Sequence, residues 1–198
     1  MGDKIMVVRH GEKPGKPPPP NGIDSKGEKL DPDCLIPRGW QRSGALACLF
    51  SDMGVAARKH LAVPTKVYAT NPASKSKRPK ETVSAVSELQ LEGADPDTTW
   101  GEGDETKLVE HAKDDAKKGP VLIGWHHQEI PAIANAIVGN NTTTPQHWPG
   151  KRFDMVWVFE LQGDATWKFD QVPQMVLYGD SDDPISMTTT LADEMVGE

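Results

Sequence analysis

Three short apolar runs that alternate with segments of helical periodicity are the feature that most constrains how this 198-residue chain can fold. The runs are too short for helices and are typical of buried strands, at residues 4–8, 66–69 and 121–125. Amphipathic spacing predicts four helices, over residues 40–53, 78–91, 105–118 and 130–138. Strands that alternate with helices predict the α/β class, a three-layer α/β/α sandwich with a mostly parallel sheet. The length predicts a single domain over residues 1–198.

Prolines, a hairpin and an acidic tail account for the rest of the chain. Seven prolines make residues 13–37 a long loop, because proline lacks an amide donor and interrupts helices and strands. The run at 17–20 favours polyproline II, either as a ligand for another protein's aromatic groove or, preferably, as a stiff part of the loop. Residues 153–161 and 166–176 predict a β-hairpin, whose edge leaves pairing with a second copy open. Residues 178–198 are predicted to be a polar acidic tail with a short helix at 191–195.

Composition argues against several classes of function. The net charge of -7 disfavours nucleic-acid binding, which needs a basic surface. No apolar run approaches the ~20 residues that span a membrane, and the N-terminal apolar segment is too short for a signal peptide. Cys34 and Cys48 make neither a disulfide framework nor a zinc site. We therefore expect a cytoplasmic protein without a cofactor, and no nucleic-acid or membrane partner.

Each predicted parallel strand is followed by basic or histidine side chains. The first runs into Arg9-His10-Gly11-Glu12, the second into a loop that ends at Arg78, and the third into His126-His127. Open α/β sheets bind ligands outside the carboxyl ends of their strands, so these side chains should meet at one edge. Arginine matches phosphate oxygens two at a time, and histidine is a nucleophile near neutral pH. The pattern predicts a phosphate site.

Four segments, in the same order along the chain, resemble the histidine phosphatase superfamily, which includes the cofactor-dependent phosphoglycerate mutases. They are residues 7–12, 35–42, 68–82 and 121–131. The first carries the Arg-His-Gly signature, and the second opens the next helix with Ile36 where the family usually has threonine. The third and fourth carry the second arginine and the second histidine. The resemblance covers most of residues 4–160 and implies a phosphoglycerate mutase-like fold.

The resemblance also implies roles for the residues at the strand ends. His10 would be the phosphohistidine nucleophile, and Arg9 and Arg78 would clamp the phosphoryl group together with Gly11. Relatives with a Trp-x-His-x-x-Ile-Pro pattern select His127 as the second catalytic histidine, with His126 as its neighbour. Strand alternation would turn the His126 side chain to the other face. A metal held by the histidines is the weaker interpretation for the same reason.

The general acid is not fixed by the resemblance. Many members place it on a loop after the second arginine, where this chain has Glu105, ranked first, and Glu102, ranked second. Glu129 is a third candidate, because other branches place an acid just after the second histidine. Three further residues are candidates for the pocket wall, namely Glu12, Lys13 and His126.

We expect metal-independent hydrolysis of a small phosphomonoester through a phosphohistidine on His10. One alternative is a phospho-ligand binding module on the same fold with little or no turnover. Another is phosphoryl transfer of the phosphoglycerate mutase type. The segment that typically surrounds the acid in mutases is not recognisable here, which favours hydrolysis.

Overall fold

A computed structural model describes residues 3–15, 20–58 and 60–196. The predicted polyproline conformation falls mostly on residues 17–19, which lie outside the described residues. Five strands form the sheet: β1 (Lys4–Arg9), β2 (Lys66–Ala69), β3 (Val121–Trp125), β4 (Met155–Leu161) and β5 (Trp167–Pro173). Within the described ranges, six helices flank the sheet or follow it: α1 (Pro37–Leu49), α2 (Asp52–Ala56), α3 (Arg78–Gln90), α4 (Glu105–Ala116), α5 (Ile130–Val138) and α6 (Leu191–Met195).

The sheet has the strand order β2-β3-β1-β4-β5. Strands β2, β3 and β1 are parallel, whereas β4 pairs antiparallel with β1 and β5 pairs antiparallel with β4. The carboxyl ends of the three parallel strands therefore lie side by side at one edge. The predicted fold class is confirmed, with the parallel pairing in the half of the sheet that presents the histidines and arginines.

Alternating side chains of β1 divide the core between the two faces of the sheet. Met6 and Val8 pack in the cluster that includes buried residues of α1 and α3. Ile5 and Val7 pack in the cluster that includes buried residues of α4 and α5. This period-two pattern is what a strand covered by helices on both faces requires.

Prolines set the starts of three helices. Pro37, Pro79 and Pro131 occupy the first turns of α1, α3 and α5, where the missing amide donor costs no helical hydrogen bond. The predicted helix over 40–53 is instead two helices. Ser51 adopts an extended conformation and its side chain accepts a hydrogen bond from the Gly54 amide at 3.3 Å, which begins α2.

The predicted polar tail packs against the domain. Ile185 is buried, and its amide donates to the Gln171 side-chain oxygen of β5 at 2.9 Å. Thr190 and Asp193 form a capping box that begins α6. The tail is therefore an ordered part of the structure over its described residues.

None of the described helices has the length and apolar character that a membrane crossing needs.

Candidate active site

His10 follows β1 directly and is buried, with a relative exposure of 2%. Its amide donates to the Trp125 carbonyl at 3.0 Å, which joins the ends of β1 and β3. The ring Nδ1 lies 2.7 Å from the Gly11 carbonyl oxygen. Since a carbonyl oxygen only accepts, this contact places the proton on Nδ1 and leaves a lone pair on Nε2. Burial above all, and then the charge of Arg9, holds the pKa of His10 well below its usual range. The ring is thus neutral and oriented.

Gly11 has a packing role at the start of the loop after β1. Its amide donates to the Thr82 hydroxyl oxygen at 2.7 Å, so this amide is engaged within the fold. A Cβ at position 11 would lie 3.1 Å from both the Cα and the carbonyl oxygen of Gly39. The glycine lets α1 approach the loop, and its carbonyl orients His10. The phosphate contact predicted for Gly11 is therefore not one that its amide can make while it is bound to Thr82.

Arg9 ends β1 and is fully buried. Its Nη1 donates to the carbonyl oxygens of Pro149, Gly150 and Arg152, at 3.2, 2.8 and 2.9 Å. The guanidinium carbon lies 3.9 Å from the centre of the Phe153 ring, a cation–π contact. These contacts fix both the plane and the position of the guanidinium. Its charge contributes to the low pKa of His10, so it acts electrostatically on that ring.

Arg78 is the first residue of α3 and is half-buried. Its Nη1 donates to the Pro32 carbonyl at 2.8 Å, which ties the long loop to the site. Its charge is among the causes that lower the pKa values of His10 and His126. Arg78 therefore joins Arg9 in the electrostatic environment of the histidine rings, as the strand-end argument predicts.

His126 and His127 follow β3, and both rings lie edge-on to His10. The ring centres of His10 and His126 are 5.3 Å apart, and those of His10 and His127 are 6.4 Å apart. The expected separation onto opposite faces does not occur, because β3 ends at Trp125 and the chain turns there. Burial is the main cause that lowers the pKa of His126 to about 3 and that of His127 to about 2, aided most by Lys75 and Arg9 respectively. Both imidazoles are neutral around pH 7.

The segments that follow β2 and β3 contain buried polar atoms with no hydrogen-bond partner among the described residues. They include the Thr70 hydroxyl oxygen, the Ser76 hydroxyl oxygen and His126 Nε2. Buried polar atoms are normally satisfied, so such a group at one sheet edge is consistent with a polar ligand site. Thr70 and Ser76 are additions to the predicted residues. Their positions after β2 are the only signal the sequence offers, since serine and threonine are common in loops.

The three candidate acids gather around the end of β3. Glu105 Oε1 accepts hydrogen bonds from the Gly103 amide at 3.1 Å and from the Trp125 indole at 3.3 Å. Lys75 Nζ lies 3.2 Å from Glu129 Oε1 and 3.3 Å from Glu102 Oε1. Burial, and then a hydrogen-bonding contact with the Glu102 carboxyl, raises the pKa of Glu129 to about 7 despite Lys75. Glu129 can therefore carry a proton near neutral pH.

Glu12 belongs to a buried ion network that the sequence analysis missed. Its carboxylate accepts from Arg42 Nη2 at 2.8 Å and from Arg38 Nε at 3.1 Å. Arg42 Nη2 also lies 2.8 Å from Asp180 Oδ1, so the network joins α1 to the C-terminal tail. Glu12 supports the loop after β1 and is turned toward Arg42. Lys13 is among the charges that lower the pKa values of both later histidines.

Over the residues that the structure describes, no group of three or more histidine, cysteine, aspartate or glutamate side chains has the arrangement to hold a metal ion.

The fold is similar to that of several solved structures. YhfR of Bacillus stearothermophilus is 15% identical, covers 93% of this chain and 98% of its own, and superimposes with a TM-score of 0.51. Rv3214 of Mycobacterium tuberculosis is 11% identical over 87% and 97% of the two chains, with a TM-score of 0.50. A mycobacterial glucosyl-3-phosphoglycerate phosphatase is 11% identical over 86% and 97%, with a TM-score of 0.47.

The chain thus shares its fold with YhfR and Rv3214, and the predicted phosphoglycerate mutase-like α/β fold is confirmed. No protein-family model matches its sequence, and neither does the sequence of any curated protein.

Proposed function

We propose that the protein is a phosphatase that hydrolyses small phosphomonoesters through a phosphohistidine on His10. The observation that carries the proposal is the hydrogen bond between His10 Nδ1 and the Gly11 carbonyl, at 2.7 Å. It presents a neutral imidazole with its lone pair on Nε2, beside two arginines. That is the protonation state a nucleophilic histidine needs.

In the first step, Nε2 of His10 attacks phosphorus and forms a P–N bond. The P–O bond to the ester oxygen breaks, and a carboxylic acid protonates the leaving oxygen. Arg9 and Arg78 hold the phosphoryl oxygens and offset their charge in a buried setting. In the second step, the carboxylate takes a proton from water as the water oxygen attacks phosphorus and the P–N bond breaks. Inorganic phosphate leaves, and the neutral imidazole and the carboxylic acid are both restored.

We assign the second catalytic histidine to His126 before His127. The His126 ring is the nearer to His10, at 5.3 Å against 6.4 Å between ring centres. Its buried Nε2 makes no hydrogen bond to any described residue, so it has capacity for a phosphoryl oxygen. The Trp-x-His-x-x-Ile-Pro pattern supports His127, and the two assignments predict different variants to be damaging.

For the general acid, we assign Glu129 before Glu105 and Glu102. A general acid works best with a pKa near the operating pH, and the pKa of Glu129 is raised to about 7. Lys75, which contacts Glu129, is also the charge that most lowers the pKa of His126. Glu129 is therefore part of the electrostatic neighbourhood of the histidines.

The test is release of phosphate from p-nitrophenyl phosphate in EDTA by the wild type and by His10→Ala. We expect turnover that survives EDTA and is lost in His10→Ala, together with an acid-labile, base-stable phosphoenzyme in rapidly quenched wild type. Phosphate binding without turnover between pH 4 and 8 would favour a phospho-ligand binding module. Turnover abolished by EDTA would refute the mechanism.

A further inference from the structure

We propose that the C-terminal segment, residues 180–196, is part of the phosphate site because it positions Arg9. The inference rests on the proposed function, in which Arg9 binds the phosphoryl group. The segment contributes no strand to the sheet, and its sequence indicates only a polar tail. Its contacts converge on the loop whose carbonyl oxygens hold the guanidinium of Arg9.

The first step concerns what holds Arg9. Three acceptors of its Nη1 are main-chain carbonyl oxygens within residues 149–152, about 140 positions away in sequence. We call these residues the carbonyl cradle. Because the acceptors are backbone atoms, the conformation of the cradle decides where the guanidinium lies. Phe153, which stacks on the guanidinium, follows the cradle directly.

The second step is the contact between the cradle and α6. The Gly150 amide donates to the Asp193 carbonyl at 3.0 Å. A Cβ at position 150 would lie 2.2 Å from the Glu194 carbonyl oxygen and 2.4 Å from that of Val196. No side chain fits between these two backbones, so glycine is required for the tail to close on the cradle.

Side chains on both sides of the cradle reinforce this contact. Before it, His147 Nδ1 lies 2.7 Å from Glu194 Oε2, and the Glu194 side chain is 8% exposed. Within and after it, Arg152 Nη2 donates to the Asp183 carbonyl at 2.8 Å, and the Asp154 carboxylate accepts from the Ser181 amide at 2.7 Å. Two parts of the tail therefore contact the cradle. Glu194 binds His147 before it, and residues 181–183 bind Arg152 and Asp154 at its other end.

The consequence is a specific effect on phosphate binding. Recognition of phosphate by arginine depends on the angle of its planar fork. A loosened cradle shifts Nη1 and with it the whole guanidinium, while β1 and its neighbouring strands stay paired. We expect Gly150→Ala to weaken the binding of inorganic phosphate by on the order of tenfold, since a misplacement of about 1 Å can cost a hundredfold.

The experiment compares Gly150→Ala with Gly163→Ala, whose added Cβ meets no atom within 4 Å. Inorganic phosphate affinity is measured by calorimetry, and kcat and KM are measured with p-nitrophenyl phosphate. Both variants are also made with Arg9→Ala. If the tail acts through Arg9, the loss caused by Gly150→Ala disappears in the Arg9→Ala background. A general loss of fold would persist there.

A second pair keeps the test usable if Gly150→Ala does not fold. Glu194→Ala removes the buried carboxylate from His147, and Glu88→Ala changes an exposed glutamate on α3. We expect Glu194→Ala to weaken phosphate binding and Glu88→Ala to leave it unchanged. As with Gly150→Ala, the loss should occur only when Arg9 is present. Wild-type affinity in both Gly150→Ala and Glu194→Ala would overturn the inference. A wild type that binds no phosphate would instead refute the proposed function.

Discussion

The Thr82 hydroxyl accepts a hydrogen bond from the Gly11 amide at 2.7 Å and donates one to the Arg78 carbonyl at 2.7 Å. Thr82 is fully buried in α3, one turn after Arg78. The carbonyl of Gly11 in turn holds His10 Nδ1. One hydroxyl thus connects Gly11, whose carbonyl orients His10, with the helical turn that begins at Arg78.

We predict that Thr82→Val damages both stability and turnover. Valine has nearly the same shape but leaves the Gly11 amide buried without an acceptor, which costs about 1–3 kcal/mol. Denaturant unfolding measures this loss, and kcat/KM measures the displacement of His10 and Arg78, expected to be about tenfold or more. Thr82→Ser keeps the hydroxyl and should restore most of both. If valine and serine behave alike, the hydroxyl has no positioning role.

We predict that His126→Gln lowers kcat by about 10²- to 10³-fold, the cost of removing one donor that stabilises the charge of a transition state. His127→Gln should lower kcat by less than tenfold, because its ring is farther from His10. Steady-state kinetics with p-nitrophenyl phosphate distinguish the two. The opposite ranking would assign the role to His127, as the sequence pattern indicates.

The elements that place the strand ends could be predicted from the sequence. The strands over 66–69 and 121–125 and the helix over 130–138 have the bounds that periodicity and proline positions predict. Each depends on local signals, either a short apolar run or a proline at a first helical turn. This is why the arginines and histidines that follow the strands could be expected at one edge.

The ion pairs and carboxyl contacts around the site could not be predicted from the sequence, because they join segments that are distant along the chain. Arg42 pairs with Glu12, 30 residues away, and with Asp180, 138 residues away. No periodicity in the sequence reports such pairs. The raised pKa of Glu129 likewise comes from its burial beside Glu102, which only the folded chain shows. Strand alternation wrongly placed the His126 side chain on the opposite face from His127, because β3 ends at Trp125 and the alternation ends with it.

We predict that kcat falls as pH rises through about 7, the value to which the pKa of Glu129 is raised. The acid must be protonated to donate, so activity is present below that pKa and lost above it. Glu129→Gln should remove this descending limb and lower kcat at pH 6. Glu105→Gln is the matched control and should keep the limb. A limb lost in Glu105→Gln instead would assign the acid to Glu105.

The neighbours of Glu129 provide an independent check of that assignment. The Glu102 carboxyl raises the pKa of Glu129, whereas Lys75 lowers it. Glu102→Gln should therefore move the descending limb to lower pH, and Lys75→Met should move it to higher pH. A pH–rate profile that neither variant shifts would show that Glu129 does not determine the limb.

We predict that the free energy of unfolding falls as pH decreases below about 6.5, because His10, His126 and His127 are buried with lowered pKa values. The unfolded chain takes up protons near pH 6.5, whereas the folded rings take them up only at much lower pH. Stability from these rings is thus complete above pH 6.5 and is lost as pH falls from there toward the folded pKa values. The slope contributed by each ring is about 1.4 kcal/mol per pH unit.

Urea unfolding between pH 4 and 7 measures that slope. His126→Gln removes one such ring, so its slope should be shallower than that of the wild type by about one proton's contribution over this range. Bound phosphate should also reduce the slope, because the dianion favours protonated imidazoles beside it. Equal slopes in the wild type and His126→Gln would mean that His126 titrates normally in the folded protein.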